Sequence, residues 1–309
     1  MIIPILTGPT ASGKTYISIE IAKNFNLEII SADSRQVYKY LDIGTAKPTK
    51  VQQTQVKHHL IDFLELEENY SAGRWLEDVD IKIKEIFDRG KYPFIVGGTA
   101  FYIYVLINGI FKEQGSIPQE LVYNLKLEYD RDPNGLYNKL LEVDKEWAEM
   151  ILPTDKQRIV RGLSFFLYYQ KPLSKAFKED IFKLNYDFLL FVLKPDKDLL
   201  NTNIERRVYD MIDKGLENEV RFLFSKYKDF NKYNVLNTVG YKEWVKYFEG
   251  NKAKDKVIKE IIRNTKKFAK KQNTFFNNKF TNKIEIKYRD INYAIEALFY
   301  HLQQHSLFY

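Results

Sequence analysis

The sequence predicts an α/β protein: a P-loop-type core with a parallel sheet flanked by helices, plus a helical insertion domain in mid-chain. Three observations predict it. Short apolar runs at residues 2–6, 27–32 and 94–96 are separated by helical text, the pattern of βαβ units. A glycine-rich turn follows the first run and leads into a helical pattern. From about residue 113 to 185 strand signals vanish, and they return at 188–193.

Taken in order, residues 2–6 are apolar throughout, as expected of a strand covered on both faces. A helix follows to about Asn24, then a second strand at 27–32. Residues 74–89 carry helical periodicity, and 93–96 form the next strand. Residues 94–111 run 18 positions without a charge, the nominal length of a membrane span. Gly97-Gly98-Thr99 and Asn108-Gly109 interrupt that run, so it reads as a buried strand, a tight turn and a buried helix from Ala100. The start of the chain has no basic segment and too short an apolar run for a secretion signal. The expectation is a cytoplasmic protein with no membrane partner. Helical text fills 113–185 and resumes from about 199 to 272. This gives a core of residues 1–112 and 186–309 and an insertion of residues 113–185.

The 309 residues carry a net charge of +7 and no cysteine, which excludes disulfides, cysteine zinc sites, iron–sulfur clusters and thiol catalysis. The charge is local: residues 251–287 hold a net +9, leaving the remainder near neutral. Within that segment Ile258, Ile261, Ile262, Thr265, Phe268, Ala269 and Gln272 recur at spacings of three and four. Arg263, Lys267, Lys270 and Lys271 fall on a different face. That face is either a solvated surface or a contact for a phosphate backbone.

Gly8, Pro9, Thr10, Ala11, Ser12, Gly13, Lys14 and Thr15 match G-x-x-x-x-G-K-[ST] at every fixed position, between a strand and a helix. Glycines let successive N–H groups turn inward, and the helix N-terminus adds partial positive charge. Lys14 reaches a terminal phosphate, and the Thr15 hydroxyl suits Mg²⁺. The pattern specifies a polyphosphate binder without specifying ATP. Ligands of open α/β sheets bind beyond the carboxyl ends of the strands. Two further polar clusters lie there, Ser31-Ala32-Asp33-Ser34-Arg35-Gln36 and Gly97-Gly98-Thr99. Asp33 suits water-mediated Mg²⁺ binding, proton acceptance from a nucleophile, or a helix cap. Thr99 suits a hydrogen bond to substrate or a turn.

Read together with Leu41-Asp42-Ile43-Gly44-Thr45-Ala46-Lys47-Pro48, His58-His59-Leu60-Ile61-Asp62, Tyr70-Ser71, Asp155-Lys156-Gln157-Arg158 with Arg161, Lys171-Pro172-Leu173-Ser174, Gly240-Tyr241-Lys242-Glu243 and Lys270-Lys271-Gln272, these segments resemble the bacterial tRNA dimethylallyltransferase family. The resemblance covers the chain to about residue 277. It implies transfer of a dimethylallyl group from dimethylallyl diphosphate to the N6 amine of the adenosine 3′ of the tRNA anticodon. The products are N6-isopentenyladenosine and diphosphate, with Mg²⁺ as cofactor and a monomer as the expected state. It implies that residues 8–15 hold diphosphate as a leaving group. Lys14 and Arg207 would stabilise the charge on it, Asp33 would take the N6 proton, and Thr99 would fix the substrates. It implies tRNA contacts by Asp33, Ser34, Arg35, Gln36 and Thr99, by Gln157, Arg158, Ile159, Val160 and Arg161, and by Lys270, Lys271, Gln272, Asn273, Thr274 and Phe275. The insertion would close over the anticodon stem-loop. The chain departs from the family pattern where Lys271 and Phe275 replace the usual Arg and Trp, where Tyr169-Gln170 precedes Lys171, at Ala100, and near Val122. A lysine lacks the bidentate fork of arginine, so these departures bear on RNA recognition rather than on the reaction.

Three other readings share parts of this text: a small-molecule kinase using ATP, an adenylate isopentenyltransferase using free AMP, and a non-catalytic RNA-binding module. The basic segment and the insertion argue against the first two. Convergence of three strand-end loops argues against the third. His301 and His305 share a helix spacing without an acidic neighbour between them, and a metal site needs a third ligand. His58-His59 reads as a structural pair.

Overall fold

The computed structural model describes residues 2–111, 115, 117–179, 181–227, 230 and 233–305. The chain opens with β1 (Ile2–Thr7), α1 (Lys14–Asn24), β2 (Leu27–Ser31), α2 (Lys50–Gln55), β3 (His58–His59), α3 (Ala72–Asp88), β4 (Tyr92–Gly97) and α4 (Ala100–Asn108). Next come β5 (Ile110–Phe111), α5 (Gln119–Arg131), α6 (Pro133–Val143), α7 (Lys145–Glu149), α8 (Lys156–Tyr169), α9 (Leu173–Glu179) and β6 (Ile181–Phe182). It closes with β7 (Asp187–Pro195), α10 (Lys197–Asp213), α11 (Leu216–Lys226), α12 (Val245–Phe248), α13 (Lys254–Lys279), β8 (Ile284–Tyr288) and α14 (Ile291–Gln304). Two compact units result, one taking the described residues up to Ile107 and from Asn185 onward, the other running from Asn108 to Leu184. The boundary expected at 112–113 falls outside the described residues.

The first unit is built on a six-stranded parallel sheet in the order β3-β2-β4-β1-β7-β8. Ile5 of β1 stands beside Ile95 of β4 on one side and Leu190 of β7 on the other. These strands are apolar on both faces because both are covered, which is why they read as runs rather than alternations. Helix α1 buries Ile17, Ile19 and Ile21, and its end meets α14 through Phe25 and Phe299, whose rings lie 4.6 Å apart. A second core joins the segment after β2 to the late helices. Val37, Leu41 and Leu64 pack there with Leu216, Val220, Leu223, Tyr241, Trp244 and Ile261.

The second unit is helical. Leu125, Leu140, Ile159 and Leu163 form its centre. Helices α6, α7 and α8 begin where aspartates accept backbone N–H groups: Asp132 from Gly135, Asp144 from Trp147 and Asp155 from Arg158. Short strands β5 and β6 pair antiparallel, with Ile110 opposite Phe182.

The α/β class matches expectation, and several elements do not. Strand β3 is two residues long, too short to leave a pattern. Strand β8 lies in lysine-rich text, and only Ile284, Ile286 and Tyr288 betray its alternation. The helical reading of 113–185 missed the β5–β6 pair. The uncharged run becomes β4, a turn and the nine-residue α4. Among the described residues no helix is long and apolar enough to cross a membrane.

Candidate active site

Strand order creates the site. β2, β4 and β1 are neighbours, so the loops at their carboxyl ends emerge about 4.8 Å apart. These are the three polar loops of the sequence.

The loop after β1 curls tightly. Gly8 has φ +153°, and a Cβ there would stand 2.9 Å from the Leu193 carbonyl. Gly13 caps α1 at φ +74° and no side chain makes a capping hydrogen bond there, so the N–H groups of the first turn are available to an anion. The loop is braced from behind. Tyr288 Oη donates to the Ser12 carbonyl at 2.6 Å, Asn203 Nδ2 to that of Ala11 at 3.4 Å, and Thr10 N–H to Gln272 Oε1 at 2.8 Å. Ser12 Oγ is buried with no partner. An unsatisfied buried hydroxyl costs about 1–3 kcal/mol, so the loop holds a polar group that a bound phosphate would satisfy. The Lys14 ammonium folds back onto the carbonyls of Gly8 (2.9 Å) and Pro9 (2.8 Å). Burial, then the neighbouring Arg207 charge, pushes its pKa down to about 7, against the pull of Asp33.

The loops after β2 and β4 are fused. A Cβ on Gly97 would lie 2.1 Å from the Ala32 carbonyl oxygen, so only glycine permits this approach. Thr99 N–H donates to the same carbonyl at 3.1 Å. Thr99 Oγ1 accepts Ser34 N–H at 2.9 Å, and Thr7 Oγ1 donates to the Gly97 carbonyl at 2.8 Å. Asp33 Oδ1 accepts the N–H of Arg35 at 2.8 Å and of Gln36 at 3.3 Å. Its other oxygen has no hydrogen-bond partner among the described residues. The cap and the chemistry are therefore not alternatives: one oxygen holds the turn and the other is free. Buried Trp75 anchors this end by donating to the Ser31 carbonyl at 3.0 Å and stacks on Tyr102 at 4.6 Å. Burial, then the charges of Tyr38 and Asp33, pushes the Tyr102 hydroxyl up.

Arg207 reaches the same place from α10. It lies four residues after Asn203, so the two share one face, touching the turn at Thr45 and the loop at Ala11. Its Nη2 donates to the Thr45 carbonyl at 3.4 Å. Burial lowers its pKa while the Asp33 charge raises it, and a guanidinium stays charged at neutral pH. Lys14, Asp33 and Arg207 thus feel one another's charges across three elements.

The turn that holds Arg207 went unassigned in the sequence. Glu219 accepts the N–H groups of Asp42, Ile43 and Gly44 at 3.1, 2.7 and 3.1 Å and the Tyr241 hydroxyl at 2.7 Å. Buried Lys47 donates to the Tyr38 carbonyl and to Asp62, and pairs with Asp42 at 2.6 Å. Gln36 Nε2 donates to the carbonyls of Thr45 and Ala46. The signal was the motif text around residues 41–48 and 240–243, which carried no role that chemistry alone could assign. His59 belongs to another network: its Nε2 lies 2.6 Å from Glu28 Oε2, which Arg89 also binds.

The remaining RNA candidates divide by exposure. Lys270 and Lys271 are exposed, with Lys267 one turn away, and none has an ion pair among the described residues. Those three and Thr274 line an open depression. Phe275 packs edge-on to Tyr104, and Asn273 Oδ1 is buried without a partner. In the helical unit Gln157 and Arg158 are exposed, with Arg158 paired to Asp155 at 3.0 Å, and Arg161 lies over the Phe165 ring. Ile159 and Val160 are buried in that unit's core, where their side chains serve packing.

Mg²⁺ keeps most of its waters and takes few protein ligands. The Thr15 hydroxyl, which has no hydrogen-bond partner among the described residues, suits such an ion. Among those residues no cluster of three or more His, Cys, Asp or Glu side chains forms an all-protein cage.

Fold and loop together define the class, an α/β protein with a phosphate-binding loop at the end of its first strand. Residues 36–279 match the family described as IPP transferase. A tRNA dimethylallyltransferase of Staphylococcus epidermidis is 37% identical over 279 residues, covering 89% of this chain and 83% of that protein. Another, from Hydrogenobaculum, is 41% identical over 278 residues, covering 88% and 90%. A crystal structure of a eukaryotic dimethylallyltransferase acting on tRNA is similar with TM-score 0.81 at 26% identity, over 94% of this chain and 75% of that one. The chain belongs to the IPP transferase family.

Proposed function

We propose that this enzyme transfers a dimethylallyl group from dimethylallyl diphosphate to the N6 amine of the adenosine 3′ of the anticodon in tRNA. The observation that carries the reading is that hydrogen bonds join the phosphate loop to α10 at Asn203, and join Arg207 of α10 to the Asp33 loop through the Thr45 carbonyl that Gln36 also binds, in a member of this family. The N6 lone pair attacks the allylic carbon, and the carbon–oxygen bond breaks with its electron pair leaving on diphosphate. Asp33, through its free oxygen, takes the N6 proton. Backbone N–H groups of the loop, Lys14 and Arg207 receive the charge developing on the leaving group, the electrostatic contribution that dominates such reactions. Mg²⁺, when bound by Thr15 and diphosphate oxygens, supplies further charge neutralisation. Buried Trp75, which donates to the Ser31 carbonyl and stacks on Tyr102, holds the start of the loop that carries Asp33.

The target base must leave its stack to reach Asp33. The exposed lysines of α13, the loop of residues 33–36 and the exposed start of α8 are the proposed tRNA contacts, and the helical unit is proposed to close over the anticodon stem-loop.

The test is transfer from labelled dimethylallyl diphosphate with Mg²⁺ and unmodified tRNA, with AMP and ATP in parallel. Label in tRNA alone is expected. Label in AMP would make the enzyme an adenylate isopentenyltransferase, and ATP turnover without transfer would return the loop to kinase chemistry.

A further inference from the structure

Gln272 lies in the segment that the family resemblance assigns to RNA, yet also on the stripe of α13 that periodicity turns inward. It is 5% exposed, between buried Ala269 and Phe276 on the same helix. A carboxamide so placed needs partners, and it finds them in two substrate-side loops. Oε1 accepts Thr10 N–H at 2.8 Å, and Nε2 donates to the Gly98 carbonyl at 2.7 Å. One side chain thereby ties the phosphate loop to the loop that carries Thr99. The fit is close: a Cβ on Gly98 would stand 3.0 Å from Gln272 Nε2 and 3.5 Å from Lys14 Nζ.

We propose that Gln272 is a positioning residue for the diphosphate site and not an RNA contact. Its carboxamide sets the spacing between the two loops, and so where Lys14 and Thr99 stand. That role requires one donor and one acceptor in fixed relation. Glutamate would turn an oxygen toward the Gly98 carbonyl. Leucine would leave Thr10 N–H and the Gly98 carbonyl both unpaired. The exposed lysines immediately before it remain free to meet RNA, so one turn of α13 presents charge outward and holds the catalytic loops inward.

The proposal rests on the transfer reading above, and its test separates the two. Full-length Gln272→Leu and Gln272→Glu are compared with the parent for binding of inorganic diphosphate with Mg²⁺, for tRNA binding across a salt series, and for steady-state transfer. Expected are a rise in the diphosphate Kd of about tenfold and a fall in kcat of roughly 10- to 100-fold. The tRNA Kd should stay within about twofold, with an unchanged salt slope. A tRNA Kd raised about tenfold with diphosphate binding intact would make Gln272 an RNA contact and overturn the proposal. Parental values in every assay would overturn it as well. Should Gln272→Leu fail to fold, Gly98→Ala reads the same bridge by crowding Nε2, with the same pattern expected at smaller amplitude. If the parent itself fails to prenylate tRNA, the transfer reading falls, while the diphosphate arm still reports on Gln272.

Discussion

Asp33 gives one carboxylate oxygen to its own loop and keeps the other. Asp33→Asn preserves the turn acceptor and removes the base, so kcat should fall by roughly 10²- to 10⁴-fold with diphosphate and tRNA affinities nearly unchanged. Single-turnover kinetics check this, and a parental rate would remove Asp33 as the proton acceptor. Lys14 makes a second prediction. Burial and Arg207 set its pKa at about 7 in the ligand-free enzyme, far below the ordinary 10.5. A bound anion favours the charged form and raises that value. Binding therefore takes up a proton above about pH 7, and affinity for inorganic diphosphate weakens with rising pH by up to about tenfold per unit. Lys14→Arg keeps its charge throughout and should flatten the profile relative to the parent. Calorimetry in buffers of different ionisation heat measures the uptake directly. At this scale the phosphate loop was legible because its eight residues are contiguous and each of its four fixed positions has a mechanical reason. The role of Glu219 was not, since its partners Asp42, Ile43 and Gly44 lie about 175 residues away in sequence.

Helix α13 shows how one element serves two surfaces. Arg263 and Lys266 are committed to Glu260 and Glu205, while Lys267, Lys270 and Lys271 carry no ion pair among the described residues. Replacing those three with alanine should weaken tRNA binding and shallow the slope of log K against log salt by about 2. An unchanged slope would make this face a solvated surface. The turn at residues 42–46 gives the second test at this scale. A Cβ at Gly44 would lie 2.5 Å from the Tyr241 ring, and that ring is fully buried. Gly44→Ala must displace Tyr241 and with it the Glu219 nest, at a cost of about 1–3 kcal/mol. The same displacement frees the Thr45 carbonyl that holds Arg207, so KM for dimethylallyl diphosphate should rise with the loss of stability. Denaturant titration and steady-state kinetics read the two effects. The periodicity of α13 was legible because a helix places every third or fourth residue on one face. That Lys266 was already committed to a carboxylate was not, because Glu205 arrives from α10.

Across the whole molecule, the phosphate loop is tied to elements far apart in sequence: it follows β1, and Tyr288 of β8 braces Ser12. Diphosphate with Mg²⁺ at a hundred times its Kd should therefore stabilise the protein by about 2.7 kcal/mol, visible as a higher melting temperature. Lys14→Ala should abolish most of that gain, and an equal shift in both proteins would place the anion elsewhere. Residues adjacent along the chain were enough to specify the parallel α/β class, the phosphate loop, the turn after the second strand, the amphipathic basic helix and, through its motifs, the family. Each rests on local periodicity or on a contiguous run. Folding alone established the order β2-β4-β1 that sets three loops side by side, the approach of Arg207 to the Thr45 carbonyl, the nest made by Glu219, and the bridge that Gln272 makes between two loops. Those depend on which strand hydrogen-bonds to which, and on backbone groups far apart in sequence finding the buried side chains that satisfy them, an accounting that closes only once the chain has folded.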